Sequence, residues 1–240
     1  MLFDVNKPTY ILTRDIYDRY VSSSPGPVLC ISRTLPDVRA AAHGQGRFDL
    51  VVTASSAGGI VALKELLSRL PEDFPAPLVV VQHLCASSRY RSVLDEVLLG
   101  STRLRVKWAE DGELLRAGTV YIAPQDRHTV VLEGGRIQVS EGEKINFFRP
   151  AADPLFASAA QVFGDRAVGI VLSGSFSDGS EGAAQLVAAG AMVFAQDAES
   201  CTHSSMPRAA IRRCHLTTSF TPGALGLLLA SLITSNESLN

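Results

Sequence analysis

The feature of this 240-residue chain that most constrains its fold is a set of short, largely apolar runs. Phe48 to Thr53, Leu78 to Val81 and Ala167 to Leu172 are rich in Val, Ile and Leu, and each is followed within a few residues by polar side chains. A strand with one face in water alternates apolar and polar positions, whereas an unbroken apolar run needs cover on both faces. A parallel sheet between two layers of helices supplies that cover. The residues following these runs are Ala54-Ser55-Ser56-Ala57-Gly58-Gly59, Gln82-His83 and Gly174-Ser175-Phe176-Ser177-Asp178-Gly179. The carboxyl edge of an open parallel sheet brings together residues distant in sequence, so Ser56, His83 and Asp178 are expected to converge there.

Helical signals fall between the strand signals. Ile60, Leu63, Leu67 and Leu70 recur at helical spacing after the glycine pair, and Leu155, Phe156, Ala159, Val162 and Phe163 do so after Asp153-Pro154. Asp153 there suits a cap before a first-turn proline. Further on, helices are expected over Gly182 to Ala189, Pro207 to Arg213 and Ala224 to Ile233, with a strand over Met192 to Ala195. Val120 to Ala123 and Thr129 to Leu132 precede Gly134-Gly135 and then Arg136 to Val139, the pattern of a hairpin on a tight glycine turn. The expected fold is α/β: a doubly wound, mostly parallel sheet flanked by helices, with an added antiparallel β-hairpin.

Residues 1–46 read differently. A short helix over Thr13 to Val21, a Ser-Pro-Gly breaker, a strand over Val28 to Ser32 and a linker over Ala40 to Gly46 make an extension too short for a second full domain. The expected division is an amino-terminal extension, 1–46, and a catalytic-type domain, 47–240.

With 46% hydrophobic and 19% charged residues and a net charge of −2, the chain has the balance of a compact soluble domain and lacks the basic excess that nonspecific nucleic-acid binding needs. Its start lacks a basic stretch followed by an apolar signal core, and no uninterrupted apolar stretch reaches membrane-spanning length. A cytoplasmic protein without membrane insertion is expected. Cys30, Cys85, Cys201 and Cys214 are scattered without metal-type spacing and read as reduced thiols.

Chemically, the three polar sites suit nucleophilic catalysis. A serine hydroxyl attacks only when a base takes its proton. A sharp strand-to-helix turn also aims helix-start N–H groups, here those near Ala57 or Gly58, at a developing oxyanion. His83 would be the base and then the acid, and Asp178 would orient it. Each residue has a plainer reading. Ser55 or Ser56 would serve equally as a helix cap, or the turn as a phosphate cradle, although it lacks the Gly-x-x-x-x-Gly-Lys-Ser/Thr pattern. Asp178 also suits a helix cap, and His43, His128, His203 and His215 are further histidines, of which His203 is the second choice of base.

Ser56-Ala57-Gly58-Gly59, Gln82-His83, Glu110-Asp111-Gly112, Tyr121-Ile122-Ala123-Pro124, Arg149-Pro150, Val168 to Leu172, Asp178-Gly179 and Met206-Pro207-Arg208 occur in an order that resembles the catalytic domain of the chemotaxis receptor methylesterase family, the CheB type. The resemblance runs from about Phe48 to Ser235. It implies Ser56 as nucleophile, His83 as base and Asp178 as orienting acid. It further implies removal of methyl groups from glutamyl methyl esters of chemoreceptors, deamidation of glutamine in some members, and no cofactor or metal. Arg89 and Arg91 would then meet an acidic receptor helix, although exposed arginines are usually only solvated. A scaffold that binds the receptor or a signalling partner without turnover, and an esterase for another carboxyl ester, are the alternatives.

Three departures from the family pattern stand out. Where the family has Gly-Ala-Ser-Thr-Gly-Gly, this chain has Ala54-Ser55-Ser56-Ala57-Gly58-Gly59, so alignment on the glycine pair selects Ser56 over Ser55. Where the family has Thr-Gly-Met-Gly-Asn-Asp-Gly, this chain has Ser173 to Gly179 with Phe176 in place of a glycine, a strained choice if that position needs positive φ. Residues 1–46 are also too few for the receiver domain that family members commonly carry.

Overall fold

The computed structural model describes residues 48–84 and 92–234. The expectations for residues 1–46, for Cys30 and Cys85, and for Arg89 and Arg91 lie outside the described residues. Two sheets form. The larger contains β1 (Leu50–Ser55), β2 (Leu78–Gln82), β3 (Arg105–Trp108), β4 (Thr119–Ile122), β7 (Ala167–Val171) and β8 (Met192–Ala195) in the order β3-β4-β2-β1-β7-β8. All of its pairings are parallel. β1 lies near the middle and is buried along its whole length. Its side chains alternate between two cores: Leu50, Val52 and Ala54 face one, Val51 the other.

Helices α1 (Gly59–Leu67), α2 (Leu94–Leu99) and α6 (Pro222–Thr234) cover the Val51 face, with Leu63, Leu66, Leu98, Leu225 and Leu229 fully or nearly fully buried there. Helices α3 (Ala152–Phe163), α4 (Ser180–Ala188) and α5 (Ser205–Cys214) cover the other face through Leu155, Phe156, Leu186 and Met206. The crossovers that follow β1 and β7 thus run to opposite faces, which opens a crevice between these two neighbours at their carboxyl ends. Among the described residues no helix is long and apolar enough to cross a membrane.

The hairpin, β5 (His128–Leu132) with β6 (Arg136–Ser140), stands apart from the sequence expectation in one respect. It forms its own two-stranded sheet and leaves the main sheet purely parallel. Its free edges are already engaged, β5 where the Val131 amide donates to Ser158 Oγ on α3 (3.0 Å) and β6 where the segment Asp111 to Leu115 pairs along it. Val131 and Ile137 sink into the α3 core. Thr119–Ile122 belongs to the main sheet, and β3 and α2 are elements that sequence reasoning did not identify.

Candidate active site

The site grows from the β1 and β2 ends. Their register pairs Ser55 with Gln82, which sets Ser56 beside His83 in the next row. The His83 amide donates to the Ser55 carbonyl (2.9 Å), and the Ser56 amide donates to the Ser173 carbonyl beyond β7 (2.9 Å). Gln82 Nε2 then ties the two rows together, donating to the carbonyls of Ser56 (2.9 Å) and His83 (3.1 Å).

Close packing dictates the glycine pair. Gly58 has φ 78°, and a Cβ there would fall 2.5 Å from Thr202 Cβ; one on Gly59 would fall 2.5 Å from Ser55 Cβ. Gly58 is the N-cap of α1, and no side chain bonds there as a cap, so neither serine serves as the helix cap that the sequence allowed. Ser55 is fully buried and donates its hydroxyl to Gln82 Oε1 (2.7 Å), which removes it from solvent and substrate alike. Ser56 is half-buried, and among the described residues its Oγ has no hydrogen-bond partner. The Ala57 and Gly58 amides donate to no backbone acceptor among the described residues.

His83 Nε2 lies 2.7 Å from Asp178 Oδ2, with the two side chains 6% and 0% exposed. A carboxylate accepts only, so Nε2 carries the proton and Nδ1 presents its lone pair. That Nδ1 is buried without a hydrogen-bond partner among the described residues. The ring therefore holds the tautomer a base requires, with its nitrogens used in the reverse sense to the chymotrypsin-type template. Phe148 stacks on the imidazole at 3.8 Å between centroids and 11° between planes, and Phe176 meets Phe148 edge-on at 5.7 Å. Phe176 sits at φ 69°, so the glycine-type conformation that its position called for is present with a bulky side chain in it.

Asp178 also accepts the Ala152 (2.6 Å) and Asp153 (3.2 Å) amides. These are the first N–H groups of α3, whose N-cap residue, Ala151, has no side chain able to cap it. Asp178 precedes α4 in sequence yet caps α3, where the helix dipole favours its negative charge. Asp153 is not the cap the sequence suggested, since α3 begins at Ala152 and its Oδ1 instead accepts the Gly182 amide of α4 (2.9 Å). Burial first, and the Asp178 charge next to it, push the Asp153 carboxyl above the ordinary aspartate range; the Gly182 and Gly179 amides pull it the other way.

The structure therefore brings Ser56, His83 and Asp178 to one sheet edge. His203 is exposed, and its backbone rather than its ring is tied in, through Ser173 Oγ and Gly174. His128 is buried, with Nε2 on the Glu143 carbonyl (2.9 Å). Burial pushes the free Cys201 and Cys214 thiols up to about 11, so neither is poised as a competing nucleophile. Sequence reasoning quoted Gln82 beside His83 without giving it a role, and it missed Phe148 and the structural use of Asp153. Gln82 had a visible signal, a polar residue directly ahead of the singled-out histidine.

The chain is similar to known proteins in both sequence and structure. A family model described as CheB methylesterase matches residues 51–228. A protein-glutamate methylesterase/protein-glutamine glutaminase of Saccharophagus degradans is 38% identical over 179 residues, 74% of this chain and 48% of the relative. One of Anaeromyxobacter dehalogenans is 43% identical over 162 residues, 67% and 47% of the two chains. The chain spans about half the length of the curated relatives it matches. The crystal structure of the Thermotoga maritima CheB methylesterase catalytic domain superposes with a TM-score of 0.72 at 34% identity, covering 77% of this chain and 98% of that one.

Proposed function

Since this chain belongs to the CheB methylesterase family, we propose that it hydrolyses carboxyl esters through Ser56, His83 and Asp178. The substrates proposed are glutamyl methyl esters of chemoreceptors, with glutamine deamidation as a related activity and the cytoplasm as the place of action. The observation that carries this reading is the His83–Asp178 pair, which leaves a lone-pair nitrogen in the row beside Ser56.

In the proposed reaction Ser56 Oγ attacks the glutamyl carbonyl carbon while its proton passes to His83 Nδ1. The oxyanion is received by the amides of Ala57 and Gly58. Collapse breaks the C–O bond, methanol departs with the proton from His83, and the acyl group stays on Ser56. Water then attacks with His83 again as base, releasing the glutamate carboxylate and restoring the serine. Asp178 stays ionised and stabilises the imidazolium in each half. Ser56 Oγ and His83 Nδ1 share no hydrogen bond in this structure, and the proposed reaction forms that bond on substrate binding, as catalytic hydrogen bonds that are long or misaligned in the free enzyme commonly do.

Methanol release from methylated receptor, wild type against Ser56→Ala, tests the role of Ser56. A fall of about 10³-fold or more is expected, and undiminished release by the variant rejects it. One observation keeps a second reading in view: among the described residues Ser56 Oγ is unengaged, as in a scaffold that binds receptor without turnover. That reading requires receptor binding with no covalent labelling by a serine-directed phosphonate.

A further inference from the structure

The one hydrogen bond between His83 and Asp178 fixes the position of Nε2 but leaves the imidazole free to swing about it. What restrains the plane of the ring is Phe148, stacked face to face at 3.8 Å and 11°. Phe148 is itself firmly held. Its amide and carbonyl both bond to Ile145 across a two-residue turn (2.9 and 3.0 Å). Its neighbour Arg149 donates to Asp126 and to the carbonyls of Glu141 and Gly142. A neutral ring offers Nδ1 no competing donor and keeps water off one face of the base.

Phe176 packs edge-on against that ring from the loop after β7. Its backbone is in the left-handed region at φ 69°, where a bulky side chain is strained, and the residue is 70% exposed. Glycine would remove both the strain and the exposed apolar surface. A strained and exposed phenylalanine at this position points to a role other than stability.

We propose that Phe148 is a positioning residue that sets the plane of the His83 imidazole, and that Phe176 braces Phe148 at the expense of local backbone strain. The proposal rests on the hydrolytic reading above. It is tested on the full chain by the rate of Ser56 labelling with a serine-directed phosphonate, together with urea unfolding. In Phe148→Leu the maximal labelling rate falls about 10-fold or more, while half-saturating phosphonate shifts less than about twofold. Phe148→Tyr restores the rate to within about threefold of wild type. Phe176→Gly slows labelling by about threefold or more, yet unfolds at the same or a higher urea concentration.

Wild-type labelling at Ser56 with unchanged rates in folded Phe148→Leu and Phe176→Gly overturns this proposal alone. A loss of rate in Phe176→Gly that tracks a lowered urea midpoint also overturns it, since that is what a purely structural ring would give. Absence of labelling in the wild type overturns the hydrolytic reading and takes the positioning role with it.

Discussion

Thr53 and Ser55 show how differently two hydroxyls in one buried strand are treated. Both are fully buried in β1. Ser55 donates to Gln82, while Thr53 Oγ1 has no partner among the described residues. A buried hydroxyl without a partner forfeits its water bond and gains nothing in return. Thr53→Val is accordingly expected to raise stability by about 1 kcal/mol, and Ser55→Ala, which strips Gln82 Oε1 of its donor, to lower it by about 1–3 kcal/mol. Urea midpoints of the two variants against wild type check the opposite signs. At Ser55 the consequence extends to function, because Gln82 also tethers the carbonyls of Ser56 and His83.

Between elements, the acid is positioned by a pair of exchanged caps. Asp178, ahead of α4, holds the start of α3, and Asp153, in the first turn of α3, holds the start of α4. The arrangement orients the carboxylate that meets His83 and sets two acids side by side. Asp153, raised in the folded protein, binds more proton there than in the unfolded chain between the two pKa values, so its ionisation lowers stability as pH rises through that window. Asp153→Asn keeps an oxygen acceptor for Gly182 and abolishes this dependence. The variant should gain on wild type as pH rises above the ordinary aspartate value of about 4, the difference closing again in acid. Urea midpoints across that range read it out, and a difference that does not vary with pH contradicts the account.

For the molecule as a whole, the site depends on two helical layers clamping one sheet. On the Val51 face α6 lies so close to α1 that a Cβ on Gly226 would approach the Leu66 carbonyl to 2.3 Å. Backbone cannot yield as a side-chain tip would, so Gly226→Ala is expected to cost about 1–3 kcal/mol by overpacking. The site lies at the carboxyl edge of the sheet, so phosphonate labelling of Ser56 should stay near wild type wherever the variant remains folded. Chemical denaturation and labelling measured on the same sample separate the two effects.

Strands buried on both faces left a direct mark on the sequence, because doubly covered backbone demands unbroken apolar residues. The parallel sheet, most of its helices and the three polar residues at strand ends were therefore readable from local pattern. The awkwardness of Phe176 was legible only against the family pattern, which has a glycine there, since positive φ penalises a side chain wherever it occurs. Tertiary structure alone decided the rest. Which of two adjacent serines faces the crevice depends on strand alternation together with Gln82 across the neighbouring strand. Which imidazole nitrogen stays free depends on a carboxylate 95 residues away. Whether the hairpin joins the main sheet depends on which edges other segments already occupy, and Phe148 has no local signal at all. Local pattern records how a segment is buried; the partners of a polar atom or a ring come from other segments, and only their packing selects them.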